Sequence, residues 1–376
     1  MMKKFSIVIP TYEKPEILYR VLENLNKQVG YGIEDYEVIV VDDGSKKKVF
    51  SKISDINTNY ALKYIYLDRE KTSCRSRTRN MGWKAAEGEI IIFLDDDILV
   101  PNNYLQELGR LYASCEKMIV IGTRLDLSAF DGQDYNYKDV HTAAYDEGKV
   151  DILETRHASF SYLSYNIAAH RFPWLMLFTC NMAIPKHMLE EVGGFCEKYV
   201  KWGWEDLELG YKLYQLNYPI VLNLKIEGLH IPHKSGGQTE DNSKLFYSKF
   251  PEASEGMSYD ELTFVYALDI ISLINRNKPI YNKFKRDRGD VIDEVIINYK
   301  DSELEEDIKR QIENASKKKG LKIIVNDYIG DSQFHLWIQL LRGCKSVPLY
   351  YPKYLFDEME NINERAMDRM KRHNFL

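Results

Sequence analysis

Short apolar runs alternate with apolar positions at helical spacing through the first third of the chain, the pattern of βαβ units around a mostly parallel sheet. Residues 5–9 form an unbroken apolar strand that Pro10 is expected to stop. Pro15 sits where the first turn of a helix tolerates a missing N–H, and Ile17, Leu18, Val21, Leu22 and Leu25 recur behind it at helical spacing. Residues 38–41 make the second strand, which ends in Asp42, Asp43, Gly44 and Ser45. Residues 62–67 make the third, a helix is predicted over 74–86, and the fourth strand, 90–94, runs into Asp95, Asp96 and Asp97. Each polar cluster follows the C-terminal end of a strand. In open α/β sheets the loops at those ends converge on one ligand crevice.

From 128 to 174 the chain is irregular and rich in Tyr, Asp and His, which reads as a long insertion or lid. Regular structure resumes with a strand over 178–184 and helices over 186–192 and 205–216. After about residue 244 the pattern changes to an amphipathic stretch at 302–315, an apolar run at 321–325, the tyrosines Tyr350, Tyr351 and Tyr354, and a charged helix from 356. The expected organisation is therefore a catalytic-type domain over 1–245 and a mostly helical accessory domain over 246–376.

Composition narrows the classes. With 376 residues, 44% hydrophobic and 29% charged, the chain can bury a large core and is not disordered. A net charge of −6 argues against a nucleic-acid partner, because phosphate backbones demand a basic footprint. The five cysteines, Cys74, Cys115, Cys180, Cys196 and Cys344, show no CxxC spacing, so neither a disulfide framework nor a zinc knuckle is expected and a reducing cytoplasm fits. No apolar run approaches the roughly 20 residues of a membrane span, and the N-terminus lacks a signal-peptide pattern. GxGxxG after the first strand, GxxxxGK[ST], GxSxG and HExxH are all missing, which removes the main sequence support for dinucleotide, P-loop, serine-hydrolase and zincin chemistry.

Three constellations could carry chemistry. Asp95, Asp96 and Asp97 would repel one another unless a cation or a hydrogen-bond cage offset their charge. Alternation along an extended chain would point Asp95 and Asp97 the same way, a half-shell for Mg²⁺ or Mn²⁺; the alternative is a solvated acidic turn before a helix capped near Asn102. Trp202, Gly203, Trp204, Glu205 and Asp206 open a helix. Two indoles could wall in a ring and raise a carboxylate toward general-base duty, or the acids could simply complement the helix dipole. His230 and His233 could complete a metal site or lie in a surface turn. His141, His157, His170, His187, His335 and His373 have no ligand-like spacing.

In this order the residues resemble the nucleotide-sugar glycosyltransferases of the GT-A fold, especially the inverting family-2 enzymes with a galactosyltransferase-like segment. The likeness covers about the first 240 residues: Ser6 to Tyr12, Val40 to Ser45, Arg79 to Gly82, Phe93 to Asp97, Asn181 to Ile184, Gly193 to Phe195, and Trp202 to Asp206. It implies an α/β GT-A fold, Rossmann-like, with a mixed but mostly parallel sheet flanked by helices.

The resemblance also implies roles. Pro10, Thr11, Tyr12 and Glu13 would line the nucleotide pocket, with Tyr12 stacking on the base and Asp43, helped by Asp42, accepting a hydrogen bond from it. Arg75 and Arg79 would approach the diphosphate, the match being firmer for Arg79. Asp95 and Asp97 would be the DxD metal pair, with Asp96 beside the donor, His230 the third ligand and His233 the reserve, for Mn²⁺ or Mg²⁺. Asp206 would be the base and Glu205 would hold a sugar by hydrogen bonds. Asn181 would floor the sugar pocket, and Trp202 and Trp204 would shape the donor and acceptor sites. Retaining relatives with a similar Trp-Gly block tend to lack the Asp, so inversion is implied. The partners implied are a UDP-sugar donor and a saccharide, glycolipid or peptide acceptor. The amphipathic tail would serve a homodimer, a protein acceptor or peripheral docking at the inner face of the membrane, or be a solvated helical cap. The competing readings are a nucleotidyltransferase and a non-catalytic carbohydrate-binding subunit. The basic run from Thr72 to Arg77 departs from the family's small-residue pattern, and nothing beyond 245 matches it.

Overall fold

Strand β1 (Phe5–Thr11) is buried along nearly its whole length, and so is β2 (Tyr36–Asp42), because both carry apolar residues on both faces and are covered from both sides. In the computed structural model these strands pair in parallel, Phe5 opposite Tyr36 through Thr11 opposite Asp42. The structure describes residues 3–46, 49–127, 150–153, 172–200, 202–233, 240–254, 293–318, 321–330 and 349–352, with the single positions 137, 138, 156, 160, 167, 334 and 338. Most of the expected lid at 128–174, Tyr354, the helix from 356, and His141, His157, His170, His335 and His373 lie outside the described residues.

Between these strands runs α1 (Pro15–Leu25), and after β2 come α2 (Val49–Ile53), β3 (Ala61–Tyr66), α3 (Arg75–Ala85) and β4 (Ile90–Leu94). There follow β5 (Ile98–Leu99), α4 (Tyr104–Ser114), β6 (Ile119–Ile121), β7 (Arg124–Leu127), β8 (Val150–Leu153), β9 (Asn181–Pro185), α5 (Lys186–Val192) and α6 (Glu205–Gln215). The remaining elements are β10 (Ile220–Leu222), β11 (Gly228–His230), α7 (Glu240–Lys249), β12 (Asp293–Tyr299), α8 (Glu305–Ser316), β13 (Leu321–Asp327) and β14 (Leu349–Pro352). Pro10 does not stop β1. The ladder to β4 ends at Val8, so the missing N–H falls beyond that pairing while β2 continues opposite.

The chain divides into two compact units, one of Met1–Ile152, Trp174–Tyr218 and Leu224–Met257, the other of Leu153–Pro173, Pro219–Asn223 and Ser258–Leu376. In the first unit the sheet runs β6-β9-β4-β1-β2-β3, parallel among β4, β1, β2 and β3, with β9 antiparallel to both its neighbours. A small sheet, β5-β11-β7-β8, continues from the acidic end of β4. Among the described residues of the second unit, β12, β13 and β14 form a parallel sheet. The expected amphipathic helix is α8, whose Ile308 and Ile312 join Ile297, Tyr299, Ile323, Val325 and Tyr350 in a separate core. No described helix is long and apolar enough to cross a membrane.

Helix α3 can lie flat on β1 and β2 because Gly82 has no side chain; a Cβ there would collide with Val8 and press on Val41 at 3.3 Å. The helix positions Arg79, so this close approach matters to the site. Replacing a helical glycine by a better helix former gains about 1 kcal/mol, whereas forcing side-chain volume into a packed contact costs about 1–3 kcal/mol. Gly82→Leu is therefore expected to lose about 1 kcal/mol of stability, measured by denaturant unfolding.

Candidate active site

The acids after β4 do not share one environment. Asp95 lies 3.1 Å from Arg79 Nη2, while Nη1 of the same guanidinium lies 3.2 Å from Glu205 Oε1. Asp96 accepts the Thr11 hydroxyl at 2.7 Å and the Lys14 ammonium at 3.0 Å. Asp97 accepts Lys14 Nζ at 2.7 Å and faces His233 Nε2 at 2.8 Å and His230 Nε2 at 3.5 Å. Asp96 and Asp97 are buried and Asp95 is only partly exposed, so the solvated acidic turn is not what forms.

Strand register explains how His230 arrives. In β11 it stands opposite Ile98 of β5 on one side and Asp126 of β7 on the other, and the next residue, Ile231, donates its N–H to the Asp97 carbonyl at 2.8 Å. His230 Nδ1 lies 2.7 Å from Asp126 Oδ1, a carboxylate partner that fixes the ring's orientation. Asp97, His230 and His233 each bring one donor atom to within 4.8 Å of the others. Asp97 Oδ1 is buried and accepts no hydrogen bond. One carboxylate with an unused oxygen and two imidazoles make a donor set that fits a divalent ion. Asp95, turned to Arg79, is not part of that cluster.

Electrostatics separate the two buried acids. Burial, reinforced by the Asp97 charge and opposed by Lys14, pushes Asp96 up to about 6. Burial acts on Asp97 in the same direction, but His233, His230 and Lys14 together hold it well below the usual carboxylate range.

The residues expected to line a nucleotide pocket occupy the ends of β1 and β2. Tyr12 is exposed and carries the Arg69 guanidinium 4.2 Å from its ring centroid. Arg69 also pairs with the Asp43 carboxylate and donates to the Asp43 carbonyl at 3.2 Å. Burial raises the Asp43 pKa despite Arg69. Asp42 has a different task from the one expected. It is fully buried, accepting the Ser45 N–H at 2.8 Å and the Tyr64 hydroxyl at 2.6 Å, so its carboxylate closes the turn after β2. Glu13 accepts the Lys46 N–H at 2.6 Å, and Arg75 is exposed at the start of α3.

At the mouth of α6, Glu205 is buried with Oε1 on Arg79 and Oε2 without a hydrogen bond. Asp206, the next residue, points to the Thr179 N–H at 3.4 Å and hydroxyl at 3.5 Å. Burial against the crevice wall and the Glu205 charge, opposed by Arg79, push its carboxyl up to about 7. That is where a general base is most effective near neutrality.

Two residues expected at the pocket are buried with partners inside the protein. Asn181 is fully buried: its Oδ1 accepts the Tyr104 hydroxyl at 2.8 Å, and its Nδ2 donates to the carbonyls of Ile226 at 2.7 Å and Thr123 at 3.2 Å. Its amide is consumed in tying β9 to its neighbours. Trp204 is buried because Gly203 and Trp204 both take positive φ, 97° and 76°, which turns the indole onto Phe246 and Tyr247 with centroids 5.3 and 5.6 Å away. Trp202 remains exposed. Lys14, Arg69 and Asp126 belong to no motif in the sequence reading. Only Asp126 left a trace, as an acid on the polar side of the alternating Arg124-Leu125-Asp126-Leu127.

Residues 6–191 match the family described as glycosyl transferase family 2, and residues 159–234 match one described as the N-terminal domain of galactosyltransferase. The validoxylamine A glucosyltransferase of Streptomyces hygroscopicus subsp. jinggangensis is 27% identical over 241 residues, 61% of this chain and 56% of that protein. The chondroitin synthase of Escherichia coli is 31% identical over 224 residues, 56% of this chain and 32% of that protein. A crystal structure of S. aureus TarS superposes with a TM-score of 0.48 at 18% identity, covering 73% of this chain and 43% of that one. The chain thus spans about half the length of the first of these relatives and a third of the second.

Arg79 is nearly fully buried and bridges Asp95 to Glu205, so its loss strands a buried carboxylate. Removing one partner of such a pair costs about 3–5 kcal/mol. Arg79→Met is expected to fall in that range by denaturant unfolding, and Arg79→Met/Glu205→Gln to recover part of the loss.

Proposed function

From the match of residues 6–191 to glycosyl transferase family 2, we propose a metal-assisted, inverting transfer of a sugar from a UDP-sugar to a saccharide, glycolipid or peptide acceptor. The observation that carries this reading is Asp206. Its carboxyl, at the start of α6 beside the Glu205–Arg79–Asp95 chain, is pushed up to about 7 by burial and the Glu205 charge.

In this reading Tyr12 and Asp43 at the strand ends receive the base, and Arg69 braces both. Asp97, His230 and His233 would hold the divalent ion, Mn²⁺ suiting two imidazoles better than Mg²⁺. When bound, such an ion neutralises charge on the departing nucleoside diphosphate. Arg79 orients Glu205, whose Oε2 has no hydrogen bond within the protein and would accept a sugar hydroxyl. Asp206 takes the proton from the acceptor hydroxyl as that oxygen attacks the anomeric carbon from the face opposite the diphosphate. Trp202, exposed at the entrance, offers a ring for the acceptor to stack on. Validoxylamine A glucosyltransferase and chondroitin synthase act on different acceptors by name, so the relatives leave acceptor choice open.

The experiment incubates the protein with UDP-, GDP- and dTDP-sugars and Mn²⁺, Mg²⁺ or EDTA, recording thermal shift and nucleoside diphosphate release. A ligand that binds only the folded state raises its apparent stability, so the donor is identified even without an acceptor. A metal-dependent shift with one UDP-sugar is expected. Release of pyrophosphate would instead make the chain a nucleotidyltransferase, and binding without turnover across a broad acceptor panel would make it a carbohydrate-binding subunit.

The base assignment makes its own prediction. Asp206 must be ionised to accept a proton, so kcat/KM is expected to rise as pH increases through about 7 and to fall below it. Asp206→Asn is expected to lose about 10²–10⁴-fold in transfer, to lose that acidic limb, and to bind donor nearly as wild type. Strong residual turnover in this variant would remove Asp206 from the role.

A further inference from the structure

No sequence motif marks Lys14, yet its ammonium is the cation that Asp96 and Asp97 share, 3.0 Å from Asp96 Oδ1 and 2.7 Å from Asp97 Oδ2. The backbone delivers it there by an uncommon route. Glu13 takes a φ of 59°, in the left-handed region that non-glycine residues seldom adopt, and is fastened by the Ser45 hydroxyl, which accepts its N–H at 2.7 Å. That turn points Lys14 at the acids. The Lys14 side chain is 27% exposed, whereas the two carboxylates it bridges are only 5–6% exposed, so the cation can leave toward the crevice while the acids stay fixed.

The contrast with Arg79 is instructive. Arg79 is buried and forked between two acids, a planar group fixed at both ends. Lysine is a compact charge on a flexible stem, suited to moving between oxyanions. The Asp97 oxygen that Lys14 occupies belongs to the same carboxylate that, with His230 and His233, forms the cation-binding cluster. Two positive centres crowding one carboxylate repel each other.

We propose that Lys14 is a displaceable internal cation. Alone, it neutralises Asp96 and Asp97 and opposes metal binding; when metal and a nucleoside diphosphate arrive together, its ammonium transfers to the diphosphate oxyanions. Metal binding is thereby coupled to donor binding, and the acids are not left without a counter-charge between turnovers. The inference rests on reading the crevice as a nucleotide-sugar site with its divalent ion at Asp97.

The test compares wild type, Lys14→Met and Lys14→Arg by calorimetric titration with Mn²⁺ alone, then with UDP at saturating Mn²⁺, after circular dichroism and melting have established that each variant folds. Lys14→Met is expected to bind Mn²⁺ alone about 10-fold more tightly than wild type and UDP about 10-fold more weakly, with Lys14→Arg close to wild type in both. The opposite signs are diagnostic, since a merely structural lysine would weaken both. Folded Lys14→Met that binds Mn²⁺ no more tightly than wild type overturns the proposal, as does the absence of Mn²⁺ binding in every variant. Wild type that binds Mn²⁺ but not UDP overturns the nucleotide reading, while the Mn²⁺ titration still decides whether Lys14 opposes the metal.

Discussion

Three consecutive carboxylates at the end of an apolar strand repel one another, and the low-polarity wall behind them makes each uncompensated charge costly. The chain answers by giving the acids different counter-charges from different elements. Arg79 of α3 takes Asp95, Lys14 before α1 takes Asp96 and Asp97, and His230 and His233 of the β11 end close on Asp97. Satisfying these charges requires the end of β1, the start of α3 and the end of β11 to meet beside the end of β4. The crevice is the place where they meet, so its electrostatics and its architecture are one requirement.

Arg79 carries that requirement further. Its second arm reaches Glu205, so the acid chain after β4 and the acid pair opening α6 share one guanidinium. Glu205, held by that arm, stays buried beside Asp206, and its charge adds to desolvation in raising the Asp206 carboxyl to about 7. Two adjacent carboxylates thus have different surroundings: one is held by an arginine, and the other is raised by burial and its neighbour's charge. The close approach of α3 to β1 and β2, allowed by Gly82, sets where that arginine stands.

The departures from motif-based roles have a common cause. Asn181, Asp42 and Trp204 are residues that the resemblance assigns to ligand pockets, and each has its polar or aromatic group occupied inside the protein. A buried amide or carboxylate needs its hydrogen bonds satisfied, and near the pocket the nearest partners are backbone carbonyls, N–H groups and hydroxyls of neighbouring strands. Such residues fix the strands around the acids, whereas Tyr12 and Trp202 keep their rings exposed.

The sequence by itself determined the alternation of strands and helices around a mostly parallel sheet, the helices at Lys186–Val192 and from Glu205, and the gathering of acids, arginine and histidines at strand ends. Those features follow from local periodicity, proline and glycine placement and the burial demanded by apolar runs, all written within a few residues of one another. Only the tertiary structure decided that Asp95 turns to Arg79 while Asp97 turns to His230 and His233, that Lys14 and Asp126 join the site, and that Arg69 lies over Tyr12. Those pairings join residues as far as 136 positions apart, as Asp97 and His233 are, and their register is set by which strands neighbour which. A one-dimensional pattern records that a charge exists; the partner that neutralises it is chosen only when the sheet closes.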